Sequence, residues 1–292
     1  ASEKKGDYVS SLGFGMGYLG GGILFLLNVI MYLKPDVFGI TDGATAIRIS
    51  FVTVAVWWAL FSIPVAIWVK EPEIHESVGI VSAVSLGWKQ LRHTFREIRH
   101  LKVVGIFLLA YWFYIDGVDT IVKMAVDYGA TLKFPDSALI TALLMVQFIA
   151  FPCALLFNLL SKKIGVKESV MAGIIGYGVI TFLAYFMSQM WHLYTLAGLV
   201  GLFQGGIQAL SRSLYTRIIP KEKSAEFFGF YNMLGKFAAV IGPAMMGTIT
   251  LITGNIRYGI ISIVLLFILG GFFLMKVNIE EGSKMAREYL SK

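Results

Sequence analysis

The sequence predicts an all-α integral membrane protein with eight transmembrane helices. Three observations carry this. Apolar residues make up 57% of the 292 positions and charged residues only 15%, with mean hydropathy +0.74, against roughly 45–50% and about 25% in soluble domains. Apolar runs long enough to span a bilayer recur near 11–33, 47–69, 103–127, 136–160, 168–188, 192–214, 225–252 and 257–277. Basic residues also alternate between connections, with 19 Lys and Arg on one side of these spans and four (Lys34, Arg48, Lys133, Arg257) on the other. The positive-inside rule makes the rich side cytoplasmic. An even number of spans then puts both termini there, as expected for a multi-pass membrane protein. The net charge of +7 and pI near 9.3 thus report topology and not a nucleic-acid partner. The single cysteine, Cys153, has no partner for an internal disulfide, and four histidines supply no spaced Cys/His ligand set, so neither metal nor cofactor is expected.

The chain begins with Ala1, and the polar stretch Ser2–Ser10 lacks the parts of a signal peptide. It reads as an internal starting point, so further helices are expected before it. The first span is rich in glycine (Gly13, Gly15, Gly17, Gly20, Gly21, Gly22), and the seventh carries Gly235, Gly242, Gly247 and Pro243. Bare helix faces allow close approach or bending, so Gly13, Gly17, Gly21, Gly22, Gly242 and Pro243 are expected at packing surfaces. Two spans six apart sharing the pattern suggest an internal repeat. The long connection after the second span holds a helical pattern: Leu91, Phe95, Ile98 and Lys102 fall on one face, with Lys89, Arg92, Arg96 and Arg99 largely opposite. That describes a basic amphipathic helix on the cytoplasmic leaflet. His75, His93 and His100 lie in or beside it, where solvated histidines or a pH sensor are both conceivable.

Charged groups inside a span are costly and therefore candidates for function. The third span places Asp116, Asp119, Lys123 and Asp127 at helical steps of three, four and four, forming one polar stripe. With a rise of about 1.5 Å per residue, Asp116, Gln147, Gln204 and Lys236 all fall within roughly 5 Å of the bilayer midplane. Two readings of this convergence stay open: a solute and ion site at the depth where transporters place theirs, or a buried ion pair such as Lys236 with Asp116 or Asp119, with the glutamines bonding across helices. Lys123 reads as structural, between Asp119 and Asp127. In the sixth span Gln204, Gln208 and Arg212 share one face, and Glu226 opens the seventh near the level of Arg212. They suggest either a cytoplasmic gate or a snorkelling arginine beside a surface glutamate.

The segments Tyr114-Ile-Asp-Gly-Val-Asp-Thr-Ile121, Gln204-Gly-Gly-Ile-Gln-Ala-Leu-Ser-Arg-Ser213 and Ser224-Ala-Glu-Phe-Phe-Gly-Phe-Tyr-Asn-Met-Leu-Gly-Lys236 resemble the vacuole-effluxer (autophagy-related protein 22) type of major facilitator and its bacterial relatives. The resemblance covers almost the whole chain. It implies a twelve-helix transporter whose helices five to twelve are seen here, with N-terminal helices outside this sequence. The expected organisation is residues 1–69 as the last two helices of an N-terminal bundle, 70–102 as a cytoplasmic amphipathic linker, and 103–292 as a six-helix C-terminal bundle. Gly13, Gly17, Gly21 and Gly22 are similar to the antiporter glycine motif, with Tyr18 in place of proline, and Lys162 stands where the facilitator loop has aspartate.

The resemblance implies a secondary transporter, working by alternating access on a small polar solute, with amino-acid efflux and proton coupling as the finer expectation. Asp116, Asp119, Gln147, Gln204, Gln208, Asn232 and Lys236 are the candidates for solute contact or proton coupling. Lys123, Asp127, Arg212 and Glu226 are those for gating or structural ion pairs. The partners implied are lipid, the solute and protons. The alternatives are a non-catalytic scaffold or subunit and, less favoured, an intramembrane enzyme. No His-Glu-x-x-His, phosphate loop or Gly-x-Ser-x-Gly elbow occurs, and paired catalytic carboxylates normally need different environments, which one helix does not give Asp116 and Asp119.

Overall fold

A computed structural model describes residues 3–69 and 80–290. The described chain is helical, with no strand among these residues: α1 (Glu3–Leu33), α2 (Gly43–Trp68), α3 (Ile80–His100), α4 (Lys102–Thr131), α5 (Asp136–Ile164), α6 (Val166–Tyr185), α7 (Met190–Ile218), α8 (Ser224–Ala238), α9 (Ile241–Thr253), α10 (Ile256–Ser262), α11 (Val264–Met275) and α12 (Ile279–Leu290). Among the described residues, eight segments are long and apolar enough to cross a membrane: 6–33, 43–68, 102–131, 136–164, 166–185, 190–218, 221–253 and 256–275. All eight expected spans are present. The protein is a multi-pass membrane protein. Residues 70–79, including His75 and the first part of the expected linker, lie outside the described residues.

The chain forms two compact units, Ala1–Tyr18 with Gly87–Lys292, and Leu19–Leu86. In the second unit the latter half of α1 is followed by a short 3₁₀ turn, Pro35–Phe38, and by α2. Asp42 caps α2 by accepting from the Thr45 amide at 2.8 Å and from the hydroxyls of Thr41 and Thr45 at 3.0 Å. These hydrogen bonds, the backbone one foremost, hold the Asp42 carboxyl below its ordinary range. Thr53 joins the two helices through Asn28 at 2.9 Å. Gly21 and Gly22 belong to this unit.

In the first unit, α5 and α7 meet closely because α7 offers glycine where α5 offers alanine. A methyl group at Gly205 would lie 2.8 Å from Ala154 Cβ and 2.9 Å from the Ala150 carbonyl, so only glycine permits this spacing. α4 packs on α11 in the same way, with Gly117 under Phe267 and Gly270 under Tyr114. The N-terminal half of α1 joins this unit. Ser10 donates to the Ala209 carbonyl at 2.7 Å, and Arg217 forms an ion pair with Asp7 at 2.8 Å. The seventh span is not one helix but two, α8 and α9, separated at Ala239–Val240. Pro243 supplies the reason, since it lacks an N–H and its ring crowds the carbonyl four residues earlier.

α3 is amphipathic, but of the face the pattern predicts Phe95 is exposed and Lys102 falls in α4. Lys89, Arg92, Arg96 and Arg99 are exposed, while Ile98 is buried and Leu91 half-buried. Its inward face also buries Thr94 and Glu97.

Candidate transport cavity

α4 carries its stripe from a sealed end to an exposed one. Asp116 is 1% exposed, and both carboxylate oxygens accept from the Gly242 amide, at 3.0 and 3.1 Å. Gly242 lies in the first turn of α9, so Asp116 satisfies an otherwise unpaired amide at the helix break. Thr120 lies beside it, donating to the Asp116 carbonyl at 2.6 Å. No side chain fits at Gly242, where a Cβ would collide with Thr120 and lie 3.0 Å from Asp116 Oδ1. One turn further on, Asp119 is partly exposed and faces Lys123 at 3.9 Å. Asp127 is exposed and forms no ion pair among the described residues.

α7 carries the second stripe. Gln204 is buried and accepts from the Tyr177 hydroxyl. Gln208 is half-exposed and accepts from the Tyr18 hydroxyl at 3.0 Å. Arg212 is exposed, its guanidinium 5.4 Å above the Phe228 ring. Gln208 and Arg212 open onto a cavity of about 720 Å³, together with Gln147 from α5, Tyr18 and Ser10 from α1, and Phe228 from α8. Its walls mix amides, hydroxyls and one guanidinium with apolar side chains such as Val9 and Phe14.

Several expected groupings are not formed. Lys236 pairs with neither Asp116 nor Asp119 within 4 Å among the described residues; it and Asn232 are exposed on α8, outside the cavity lining. Asp116 finds its partner in the Gly242 backbone instead. Arg212 does not clamp Glu226, because its guanidinium lies over Phe228 while Glu226 faces α3, near His93 and Glu97. Gly13 and Gly17 line the cavity, and a Cβ at either would meet nothing within 4 Å. The packing glycine on this part of α1 is Gly15, where an added Cβ would lie 3.2 Å from the Phe151 carbonyl oxygen. Pro243 breaks the helix, and Gly242 does serve close approach.

Two residues were not singled out from the sequence. Asp7 accepts from Arg217 Nη2 at 2.8 and 2.9 Å, from Ser161 at 3.4 Å and from Ser213, tying α1 to α5 and α7 beside the cavity. Asp7 and Arg217 are 210 positions apart, and the only sequence signal was an acidic residue just before a glycine-rich span.

The residues match the family described as vacuole effluxer Atg22 like over 1–287. The chain belongs to this family. It is 36% identical to the uncharacterized MFS-type transporter YxiO of Bacillus subtilis over 98% of its own length and 67% of that protein. It is 31% identical to autophagy-related protein 22 of Yarrowia lipolytica over 97% of its length and 52% of that protein. Against autophagy-related protein 22-1 of Aspergillus niger the identity is 29%, over 97% of this chain and 49% of that protein. The chain therefore spans about two thirds of the bacterial relative and about half of the fungal ones. Membership in the Atg22-like family places it among membrane transporters and not among enzymes.

Proposed function

We propose that the protein is a secondary active transporter of a small solute bearing a carboxylate, an amino acid being the best fit, and that the cavity between α1, α5, α7 and α8 receives it. The observation that carries this reading is the grouping of Arg212, Gln208, Gln147 and Tyr18 around one space inside a membrane-spanning bundle. Arg212 pairs with the solute carboxylate, and the two glutamines hydrogen-bond its polar groups. The family description speaks of efflux, which agrees with outward movement from the basic, cytoplasmic side of a bacterial inner membrane, where both ends of this chain lie in this reading. Alternating access works between two bundles, residues 1–69 belonging to one and 103–292 to the other, joined by 70–102. The Asp7–Arg217 pair, with Ser161 and Ser213, acts as a closure that must open in each cycle.

Asp116 does not reach the cavity lining, so its role is coupling and not solute contact. A proton on Asp116 weakens its hold on the Gly242 amide and loosens the α8–α9 break, and Asp119 is the neighbouring charge on the same helix. The test is solute counterflow in proteoliposomes made with the full-length native transporter. Labelled amino acids should accumulate against unlabelled internal solute, and Arg212→Ala should lower this by about 10- to 100-fold. Asp116→Asn should abolish movement driven by a pH gradient while leaving exchange. Intact counterflow in Arg212→Ala would show that the solute does not bind in this cavity.

A further inference from the structure

Away from the cavity, α3 and the start of α8 bring together three groups whose chemistry the transport reading does not use. His93 and Glu97 are four residues apart on α3 and therefore on one face, with His93 Nδ1 3.4 Å from Glu97 Oε1. Glu226, in the first turn of α8, completes the set: one ligand atom from each of the three residues lies within 4.8 Å of the others. Glu97 is nearly wholly buried, its side chain 5% exposed. Its Oε1 accepts from Lys223 and, at 2.7 Å, from the Tyr289 hydroxyl of α12. Its Oε2 has no hydrogen-bond partner, and neither has the buried Oε2 of Glu226. Buried carboxylate oxygens without a donor are costly. Lys223 supplies one positive charge against two carboxylates, which leaves the group with an uncompensated negative charge when His93 is neutral. Two carboxylates, each with one unpartnered oxygen, and an imidazole nitrogen come together from two helices and form a ligand set for a cation.

We propose that His93, Glu97 and Glu226 bind a divalent transition metal of the zinc class, which fastens α3 to the start of α8. The imidazole nitrogen separates this ion from calcium and magnesium, which take oxygen ligands. Zinc bonds of about 2.0–2.2 Å put neighbouring ligand atoms roughly 3.3–3.6 Å apart in a tetrahedron. The 3.4 Å between His93 Nδ1 and Glu97 Oε1 is of this order; because Oε1 already accepts from Lys223 and Tyr289, the metal takes the unpartnered Oε2 of the same carboxylate. Glu226 reaches it by a side-chain adjustment of about 1 Å, and water takes the fourth position. The set is invisible to spacing rules because its third ligand lies in another helix, more than a hundred residues along the chain. With metal bound, the linker helix is held where α7 passes into α8, and with metal removed it is held, among the described residues, through Lys223, Tyr289 and apolar packing.

The experiment is a cobalt titration of the full-length transporter in micelles after metal stripping, read by visible absorption, followed by displacement with zinc. The wild type should bind one zinc per chain at this site. His93→Ala and Glu226→Gln should each weaken binding by at least about tenfold, while His100→Ala, an exposed histidine on the same helix, should leave it unchanged. The His93 side chain is 58% exposed, so its loss does not threaten the fold, and thermal unfolding of each variant confirms that. Binding as tight in the His93→Ala, Glu226→Gln double variant as in the wild type would overturn the proposal. So would equal weakening by His100→Ala.

Discussion

The polar stripes of α4 and α7 look alike in sequence and end differently in space. Each places polar groups at three- or four-residue steps along one face, and each starts from a sealed residue and runs outward. In α4 the sealed end is Asp116, turned to the Gly242 amide at a helix break, and beyond it Asp119 meets Lys123. In α7 the sealed end is Gln204, held by Tyr177, and beyond it Gln208 and Arg212 enter a cavity. What separates them is the neighbour each face meets. α4 turns its stripe toward a backbone donor that Pro243 and the break at Ala239–Val240 expose, whereas α7 turns its stripe toward the glycine-lined face of α1. A helix with no side chain at Gly13 and Gly17 leaves space, and a helix with an open backbone amide consumes a carboxylate.

Substitutions in the two stripes should therefore separate transport from stability. The largest expected effect is on transport: Arg212→Ala should lower solute uptake by about 10- to 100-fold, the loss of one charge-assisted hydrogen bond at about 1.5–3 kcal/mol, with thermal stability nearly unchanged because the side chain is exposed. Proteoliposome flux beside a melting curve measures both. Asp116→Leu should lower stability as well as coupling, costing about 1–3 kcal/mol because the Gly242 amide loses its acceptor, a loss readable as a lowered unfolding midpoint. Gly242→Ala should cost about as much, by crowding Thr120.

The two glutamines sharpen the same contrast within one helix. Gln204→Leu leaves the buried Tyr177 hydroxyl unpaired and should cost about 1–3 kcal/mol. Gln208→Leu should stay within about 1 kcal/mol and act on the apparent affinity for solute instead. A melting curve and a concentration dependence of uptake for each variant distinguish them. If Gln208→Leu unfolds the protein as readily as Gln204→Leu, the division between sealed and open ends is wrong.

The smallest effect lies in the second unit. Asp42 is held below its ordinary range by the amide and hydroxyls it accepts from, so its contribution to the start of α2 is full above the unfolded carboxyl value near 4. It is lost as pH falls through the lower folded value. Amide exchange at 43–46, corrected for the intrinsic rate, should lose protection only in that acid window and stay constant from pH 5 to 8. Asp42→Ala should remove the pH dependence.

All eight spans were legible because membrane solvation demands length and apolarity, which composition displays directly. The stripes were legible because helical spacing is fixed, and depth followed from rise per residue. What depth does not contain is azimuth. Gln204 and Gln208 were equally plausible solute contacts until the position of Tyr177 separated them. Lys236 at the depth of Asp116 suggested an ion pair, yet the break at Pro243 offers Asp116 a backbone donor and leaves Lys236 exposed on α8. Pro243 in mid-span was the available signal for that break. Arg212 and Glu226 share a level but not a direction. Asp7 with Arg217, and Glu97 with Glu226, join residues far apart in sequence, and no local pattern points from one to the other.

The central claim is that Gln208 faces the solute path and Gln204 does not. Cysteine accessibility tests it most directly, on full-length protein freed of cysteines, with the buried Cys153 of this chain replaced by Ala. Cysteine is introduced at position 208 or 204, and labelling by a membrane-impermeant maleimide is followed with and without amino-acid solute. Rapid labelling at 208 that the solute slows, beside slow labelling at 204 that the solute leaves unchanged, is the predicted result. Equal labelling at both positions, or labelling at 208 that no amino acid affects, would contradict it.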